Sequence, residues 1–429
     1  MKLFERLFKH ITLAFLLCFF APSTASSPNN EPTLQADSIE ISLLTCGPRQ
    51  QVYSMYGHTA IRFQDKQSGR DIAINYGVFS FDKPFFVLRF VFGLTDYEMG
   101  IAPFDIFEWE YDPTGCGVIQ QVLNLTAQEK MAIAQAVDRN MEPQNRVYRY
   151  NFFYDNCTTR ARDIIANNLN GRIVYDSSTP QHLNTSTPQH HNTPAQYPTF
   201  RNLIHNYNET HRWARFGNDL LLGVKADYNT TFEQQQFLPE RLCADFERAH
   251  IISADGTKRN LVSSSFWLFE PTTKQQSTQQ TNMSILDVFS PLVTFSILSI
   301  LTLIIAIVEY RRKRIIWVFD TIIMLTTGTC GLLLFAMIFS QHPTVSLNLQ
   351  ILLLNPINIF MLYSVTKAAH KNRIHWWTKA WSALILLLLA GSFLQSYAEG
   401  ITIVALSLLL RNISNIYTFK NTGSKQPEA

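Results

Sequence analysis

Hydrophobic positions follow two regimes along this chain, with the change near residue 285. Residues 27–280 interleave polar and apolar positions as a globular fold does. From 285 to 417, Leu, Ile, Val, Phe and Ala dominate, with apolar runs near 288–308, 315–339, 347–366, 380–396 and 401–417. A helix needs roughly 20 apolar residues to cross a bilayer, so these runs predict an all-α transmembrane domain of five helices over 285–417. Arg411 shortens the apolar core of the last run. The loop at 310–314 carries Arg311, Arg312, Lys313 and Arg314, and that at 367–379 carries Lys367, Lys371, Arg373 and Lys379. The intervening loops, 340–346 and 397–400, carry no Lys or Arg. Basic loops stay in the cytoplasm. The expected topology therefore puts residue 285 outside and the tail, 418–429, inside.

Within the polar half, Ser42–Thr45, His58–Phe63 and Ile72–Tyr76 are short β-prone runs separated by Gly, Asp and Ser turns. Ala127–Met141 has helical periodicity, with Thr126 as N-cap and Glu129 at the capping-box spacing. A second helix is expected to start near Cys157 and run to Leu169. Residues 177–199 repeat Thr-Pro-Gln-His in a low-complexity loop. Its His182, His190 and His191 lack neighbouring Cys or carboxylate partners, so no metal site is assigned. Residues 200–271 form a second soluble segment, strongest over Trp213–Gly223, expected to pack on the first. Residues 272–284, rich in Gln, Thr and Ser, read as a linker.

The N-terminus has the order of a signal peptide over residues 1–25. Lys2, Arg6 and Lys9 precede an apolar stretch from Ile11 to Ala21, and Ser23-Thr24-Ala25 offers small residues for cleavage. Cys18 lies inside the apolar stretch behind Leu17, a poor context for lipid attachment. Export and the loop charges thus agree on one orientation. The net charge of +3, without a basic stripe in the first half, argues against nucleic acid as a partner. Four cysteines, Cys46, Cys116, Cys157 and Cys243, fall in the exported region, too few for a disulfide-stapled scaffold. A free functional thiol is therefore credible, while Cys46 and Cys116 pack in the fold or pair with each other.

One combination suits covalent catalysis. Cys157, in Tyr154-Asp155-Asn156-Cys157-Thr158-Thr159-Arg160, sits at the mouth of the expected helix, where the dipole and unpaired amides favour thiolate and can hold an oxyanion. His58, in Tyr56-Gly57-His58-Thr59-Ala60-Ile61-Arg62-Phe63, is offered by a strand as the base, and Asn75 on the next strand can orient the imidazole. On spacing alone, a cysteine and a histidine ninety-nine positions apart are more often a small buried residue and a satisfied strand histidine than a catalytic pair. Three further features lie open. Asp219 and Asp227 flank a Leu-rich patch and serve as surface or capping residues or line the site mouth. Phe85–Phe92 is apolar on both faces, either a buried strand or a membrane-interface element near an acyl-chain site. In the third span, Asn348 and Asn355 are seven apart and thus share a helix face; with Asn358 they bond neighbouring helices or line a polar path.

The runs Leu43–Cys46, Tyr56–Arg62 and Tyr150–Arg160, with Trp213–Gly223, Phe237-Leu238-Pro239 and the five apolar runs, resemble the Lnb family of Bacteroidetes membrane proteins. The resemblance covers nearly the whole chain. It implies an α+β, permuted papain-like domain of the lecithin:retinol acyltransferase and NlpC type over residues 27–176, in which a histidine strand precedes an Asn-Cys helix. It carries Cys157 over as nucleophile and His58 as base; Asn75 is the inferred third member. The family activity implied is lipoprotein N-acyl transfer, without cofactor or metal, from a phospholipid donor to a diacylated lipoprotein acceptor, at the periplasmic face of the bacterial inner membrane. Two other readings use the same residues: a membrane-tethered cysteine hydrolase acting on peptides or amides, and a non-enzymatic membrane scaffold.

Overall fold

A computed structural model describes residues 36–176, 197–272 and 289–419, apart from 50, 52–53, 80–83, 86–87 and 90–91. The expected signal peptide, the histidines of the low-complexity loop and most of the expected linker lie outside the described residues. The soluble part opens with β1 (Ile39–Cys46), β2 (His58–Asp65), β3 (Arg70–Val78), β4 (Asp96–Pro103) and α1 (Phe104–Tyr111). Then come β5 (Val118–Leu123), α2 (Ala127–Met141), β6 (Val147–Arg149) and α3 (Cys157–Ala166). It continues with β7 (Arg172–Tyr175), α4 (Phe200–His205), α5 (Arg212–Leu221), α6 (Pro239–Glu247), β8 (Ala249–Ile252), β9 (Lys258–Asn260) and β10 (Val262–Phe269). The C-terminal part is helical: α7 (Pro291–Arg312), α8 (Trp317–Ile338), α9 (Ile357–His370), α10 (Trp376–Gly391) and α11 (Ile401–Phe419).

Seven strands make one antiparallel sheet in the order β10-β5-β1-β2-β3-β4-β6. Strand β10, from the second soluble segment, completes its edge beside β5. Strand β1 is buried on both faces, at Ile39 and from Ile41 to Cys46. Ile39, Ile41 and Leu43 enter a core with Ile133 and Val137 of α2, Ile164 and Ile165 of α3, and Leu242 and Phe246 of α6. Leu44 and Cys46 face the other way, onto Phe104, Phe107 and Tyr111 of α1. Each fully buried Leu, Ile or Phe in these layers contributes about 1.5–3 kcal/mol. The sheet is thereby clamped between α1 and the α2–α3–α6 layer, which fixes the β2 and α3 ends that carry the site. Helix α2 begins with the anticipated capping box: Thr126 accepts from the Glu129 amide, and the Glu129 carboxylate accepts from the Thr126 amide. Helix α3 ends at Ala166, earlier than expected.

Among the described residues, four helical segments are long and apolar enough to cross a membrane: Pro291–Arg312, Trp317–Ile338, Leu349–His370 and Ile401–Phe419. The fourth apolar run forms only the 16 residues of α10, short of the usual length. The third run is not one continuous helix. A 3-10 turn, Leu349–Leu352, is separated from α9 by Asn355-Pro356, because proline lacks the amide a helix interior needs. Asn348 and Asn355 consequently do not share a helix face. Asn348 accepts from the Gln350 amide and donates to the Leu220 carbonyl, and Asn355 accepts from the Ile357 amide. Asn358 donates to Thr327 and accepts from Trp377, a helix–helix link at 2.8 Å on both sides.

Arg411 is buried and fully engaged rather than a flaw in the last helix. Its guanidinium bonds Glu309 of α7 at 2.7 and 2.9 Å and Asp320 of α8 at 2.7 and 3.0 Å. Asn415 adds a bond to Glu309 at 2.9 Å. Such pairing is how a charge is tolerated among apolar helices.

The two parts are joined by hydrogen bonds at the C-terminal end of α5. Gln350 donates to the Asp219 carbonyl at 2.9 Å and Gln395 to the Leu222 carbonyl at 3.0 Å. The Gly223 and Val224 amides donate to the Thr344 and Leu347 carbonyls, each at 2.8 Å. A Cβ on Gly223 would lie 2.1 Å from the Leu347 carbonyl oxygen, so only glycine permits this approach. Trp213 donates to the Phe289 carbonyl at 2.9 Å, and Phe216 packs against Phe295 of α7.

Candidate active site

The site is assembled where β2 and α3 begin and β3 ends. Asn156 caps α3: its side-chain oxygen accepts from the amides of Thr158 and Thr159 at 2.9 Å each, and Thr159 returns a hydroxyl acceptor to the Asn156 amide. The Asn156 side-chain amide donates to the carbonyls of Phe152 at 3.0 Å and Phe237 at 2.8 Å. One buried asparagine thus fixes the first helical residue, Cys157, and ties Phe237-Leu238-Pro239 to it. Because Asn156 occupies the Thr158 and Thr159 amides, the expected oxyanion donors are narrowed. Among the described residues, the Cys157 amide itself donates to no protein acceptor.

On the sheet, Ala60 pairs with Asn75 across β2 and β3, so His58 and Asn75 share a face two residues out of register. His58 Nε2 lies 3.0 Å from Asn75 Oδ1. The amide oxygen accepts the Nε2 proton, which leaves Nδ1 for Cys157. Gly57, at φ +80°, turns the chain into β2; a Cβ there would meet the Cys46 carbonyl oxygen at 2.6 Å. Thr59 and Thr158 hydroxyls are linked at 3.1 Å, pinning strand to helix beside the thiol.

The electrostatics separate this thiol from the others. Burial raises the Cys157 pKa, but the His58 charge and hydrogen bond, the Thr59 amide and the Thr158 hydroxyl outweigh it and bring it down to about 7. Burial draws the His58 imidazole down, yet the Cys157 charge, its hydrogen bond and Asn75 leave it raised. Each group stabilises the charged form of the other. Burial drives the other exported thiols the opposite way: Cys46 and Cys116 upward, and Cys243 up to about 11. Cys46, Cys116, Cys157 and Cys243 are all free thiols. Cys116 donates to the Gly47 carbonyl rather than bridging to Cys46.

A cavity of about 330 Å³ opens over the pair, lined by Arg49, Tyr56, Glu110, Tyr150 and Phe152 among others. Tyr56, held by Asn218 of α5 through a 2.8 Å bond, and Tyr150, stacked on Tyr97, were not singled out by sequence reasoning. The aromatic run Tyr150–Tyr154 was the available signal. Asp219 and Asp227 do not line the cavity. Asp219 is buried and bonded to Arg201 and His205 at 2.8 Å each, and Asp227 pairs with the same Arg201. Asp219 holds α4 against α5 and Asp227 holds Arg201 of α4 from the turn after α5, so neither lies on the surface or at the mouth. Of the run Phe85–Phe92, the described Phe85 and Leu88 are exposed, against the buried-strand reading.

A sheet-and-helix domain with a thiol–imidazole pair, joined to membrane-length helices, defines a multi-pass membrane protein with an extracytoplasmic domain. Two family descriptions match the chain: the Lnb N-terminal periplasmic domain over residues 27–203 and the Lnb transmembrane domain over residues 280–422. The chain belongs to the Lnb family and is a multi-pass inner-membrane protein with its N-terminal domain in the periplasm. No curated protein and no solved structure matches it.

Proposed function

We propose that this chain is a lipoprotein N-acyltransferase that moves an acyl chain from a phospholipid, through a thioester on Cys157, to the α-amino group of a diacylglyceryl-cysteine lipoprotein. The observation that carries the reading is the lowered Cys157 thiol beside His58, in a chain whose other half is a membrane domain. The thiolate attacks the ester carbonyl carbon, and the C–O bond to glycerol breaks as imidazolium His58 delivers its proton to the departing oxygen. The lysophospholipid leaves. The lipoprotein amine then attacks the thioester, His58 takes the amine proton, and the C–S bond breaks to restore the thiolate. Asn75 orients the imidazole. We read the α3 packing on β2 and β3, with the histidine strand before the cysteine helix, as a permuted papain-like core. Residues 27–176 supply the site and 200–271 brace it. We take α10 as the fifth span.

The test is the intact mass of a diacylated lipoprotein's N-terminal peptide from a host lacking any other N-acyltransferase. Wild type should add one acyl chain, Cys157→Ser none, and Asn75→Ala a reduced amount. A triacylated peptide with Cys157→Ser overturns the mechanism. Peptide cleavage without acyl gain in the wild type favours the hydrolase.

A further inference from the structure

The segment between β3 and β4 has no part in the chemistry above, yet it touches both the cavity and the membrane domain. Val78 and Phe79, at its base, line the Cys157 cavity, and Phe79 packs 4.9 Å from Tyr97. At its far end, the Phe92 carbonyl accepts from the Gln341 amide at 3.0 Å. A Cβ on Gly93 would meet Gln341 at 3.1 Å and the His342 ring at 3.2 Å. Asn151, in the turn leading to Cys157, also reaches His342, at 3.5 Å. Gln341 and His342 follow directly on α8, so these contacts lie where a span leaves the hydrocarbon. In the same segment Phe85 is 77% and Leu88 55% exposed. Among the described residues, half-exposed Arg89, Arg146 and Arg149 pair with the two carboxylates Asp96 and Glu98. An apolar tip edged by arginine is the pattern of a segment seated at the headgroup boundary.

We infer that Phe85 and Leu88 sit in the hydrocarbon of the periplasmic leaflet and that a lipid acyl chain passes from them over Phe79 to Cys157. The seating stands on placement alone. The acyl path rests on the acyl-transfer reading. Bilayer lipid is the occupant that fits, because the connection at 341–342 fixes the segment beside the outer end of a span.

The experiment uses the full chain in vesicles of phosphatidylcholine with or without bromine on the acyl chains. Relative to the parent protein, Phe85→Trp should add emission that falls roughly by half or more in brominated vesicles, as expected a few ångströms into the acyl boundary. Added emission equally bright in both vesicles overturns the seating, whether protein or water covers the tip. Phe85→Ser/Leu88→Ser should lower thioester formation from bilayer phospholipid about tenfold, through lost apolar contact, with alkylation of Cys157 by iodoacetamide unchanged. Quenching with undiminished thioester formation overturns the acyl path. Should the double variant lose alkylation as well, Leu88→Gln alone is judged by the same two rates. If the parent forms no thioester at all, the acyl-transfer reading fails while the quenching result still decides the seating.

Discussion

Replacing His58 by alanine tests whether the imidazolium sets the reactivity of Cys157. Burial pushes this thiol up, and the His58 charge and hydrogen bond head the contributions that hold it at about 7. Without them, the Thr59 amide and Thr158 hydroxyl alone oppose burial, and the thiol should return at least to the ordinary value of about 8.5. At pH 7 the thiolate fraction then drops from about one-half to about 3%. A more basic thiolate is also a better nucleophile; with a Brønsted coefficient of about 0.4–0.5, a pKa rise of about 1.5 restores roughly fivefold. The net expectation is alkylation about threefold slower than wild type at pH 7 and about fivefold faster at pH 10, with the profiles crossing near pH 8. The assay is the rate of iodoacetamide addition to the Cys157 peptide, read by mass spectrometry from the folded, reduced protein across this range. A His58→Ala profile that keeps its midpoint near 7 and never crosses the wild type would refute the ion-pair account.

Three further outcomes are expected. Asn156→Ala removes the α3 cap and the donor to the Phe152 and Phe237 carbonyls, so thermal unfolding of the detergent-solubilised protein should show a loss of about 2–4 kcal/mol. Arg411→Met leaves Glu309 and Asp320 unpaired and should cost about 3–5 kcal/mol, whereas adding Glu309→Gln and Asp320→Asn should restore most of the folded yield in detergent. A periplasm-active reporter should work after Gln341 and after Glu399 but not after Arg373; an inactive Glu399 fusion would show that α10 does not cross.

Much of this architecture was legible because its signals are local. Alternation and buried runs marked β1, β2 and β3, and Thr126 with Glu129 marked the start of α2. The start of α3 near Cys157 was expected from the sequence, and the preference of asparagine for the cap accounts for it. What stayed hidden depends on partners distant in sequence. Nothing near Asp219 announces Arg201 and His205, and nothing near Arg411 announces Glu309 and Asp320. The break in the third span was readable in Pro356, but the apolar run around it masked the consequence. The reach of Asn156 to Phe237 explains why two separated motifs occur together, a relation spacing alone cannot supply.

The same long-range links change what the membrane helices do for the soluble part. Were the bundle only a tether, a linker would suffice and the α5 carbonyls would be capped within the soluble part. Instead, Asn348, Gln350 and Gln395 take the carbonyls of Asp219, Leu220 and Leu222. From the same helix Asn218 reaches back to Tyr56 at the cavity wall. Removing residues 285–429 would strip these donors and expose the Leu220-Leu221 patch that packs on the bundle. An unsatisfied buried carbonyl costs about 1–3 kcal/mol, and several would be lost together. The soluble region is therefore not expected to keep its native thiol reactivity when cut free. Helix α5 acts as a rigid bracket: its hydrophobic stripe and C-terminal carbonyls belong to the membrane domain, while Asn218 belongs to the site. That arrangement holds the cavity wall in a fixed position on the membrane helices, which a flexible tether would not do.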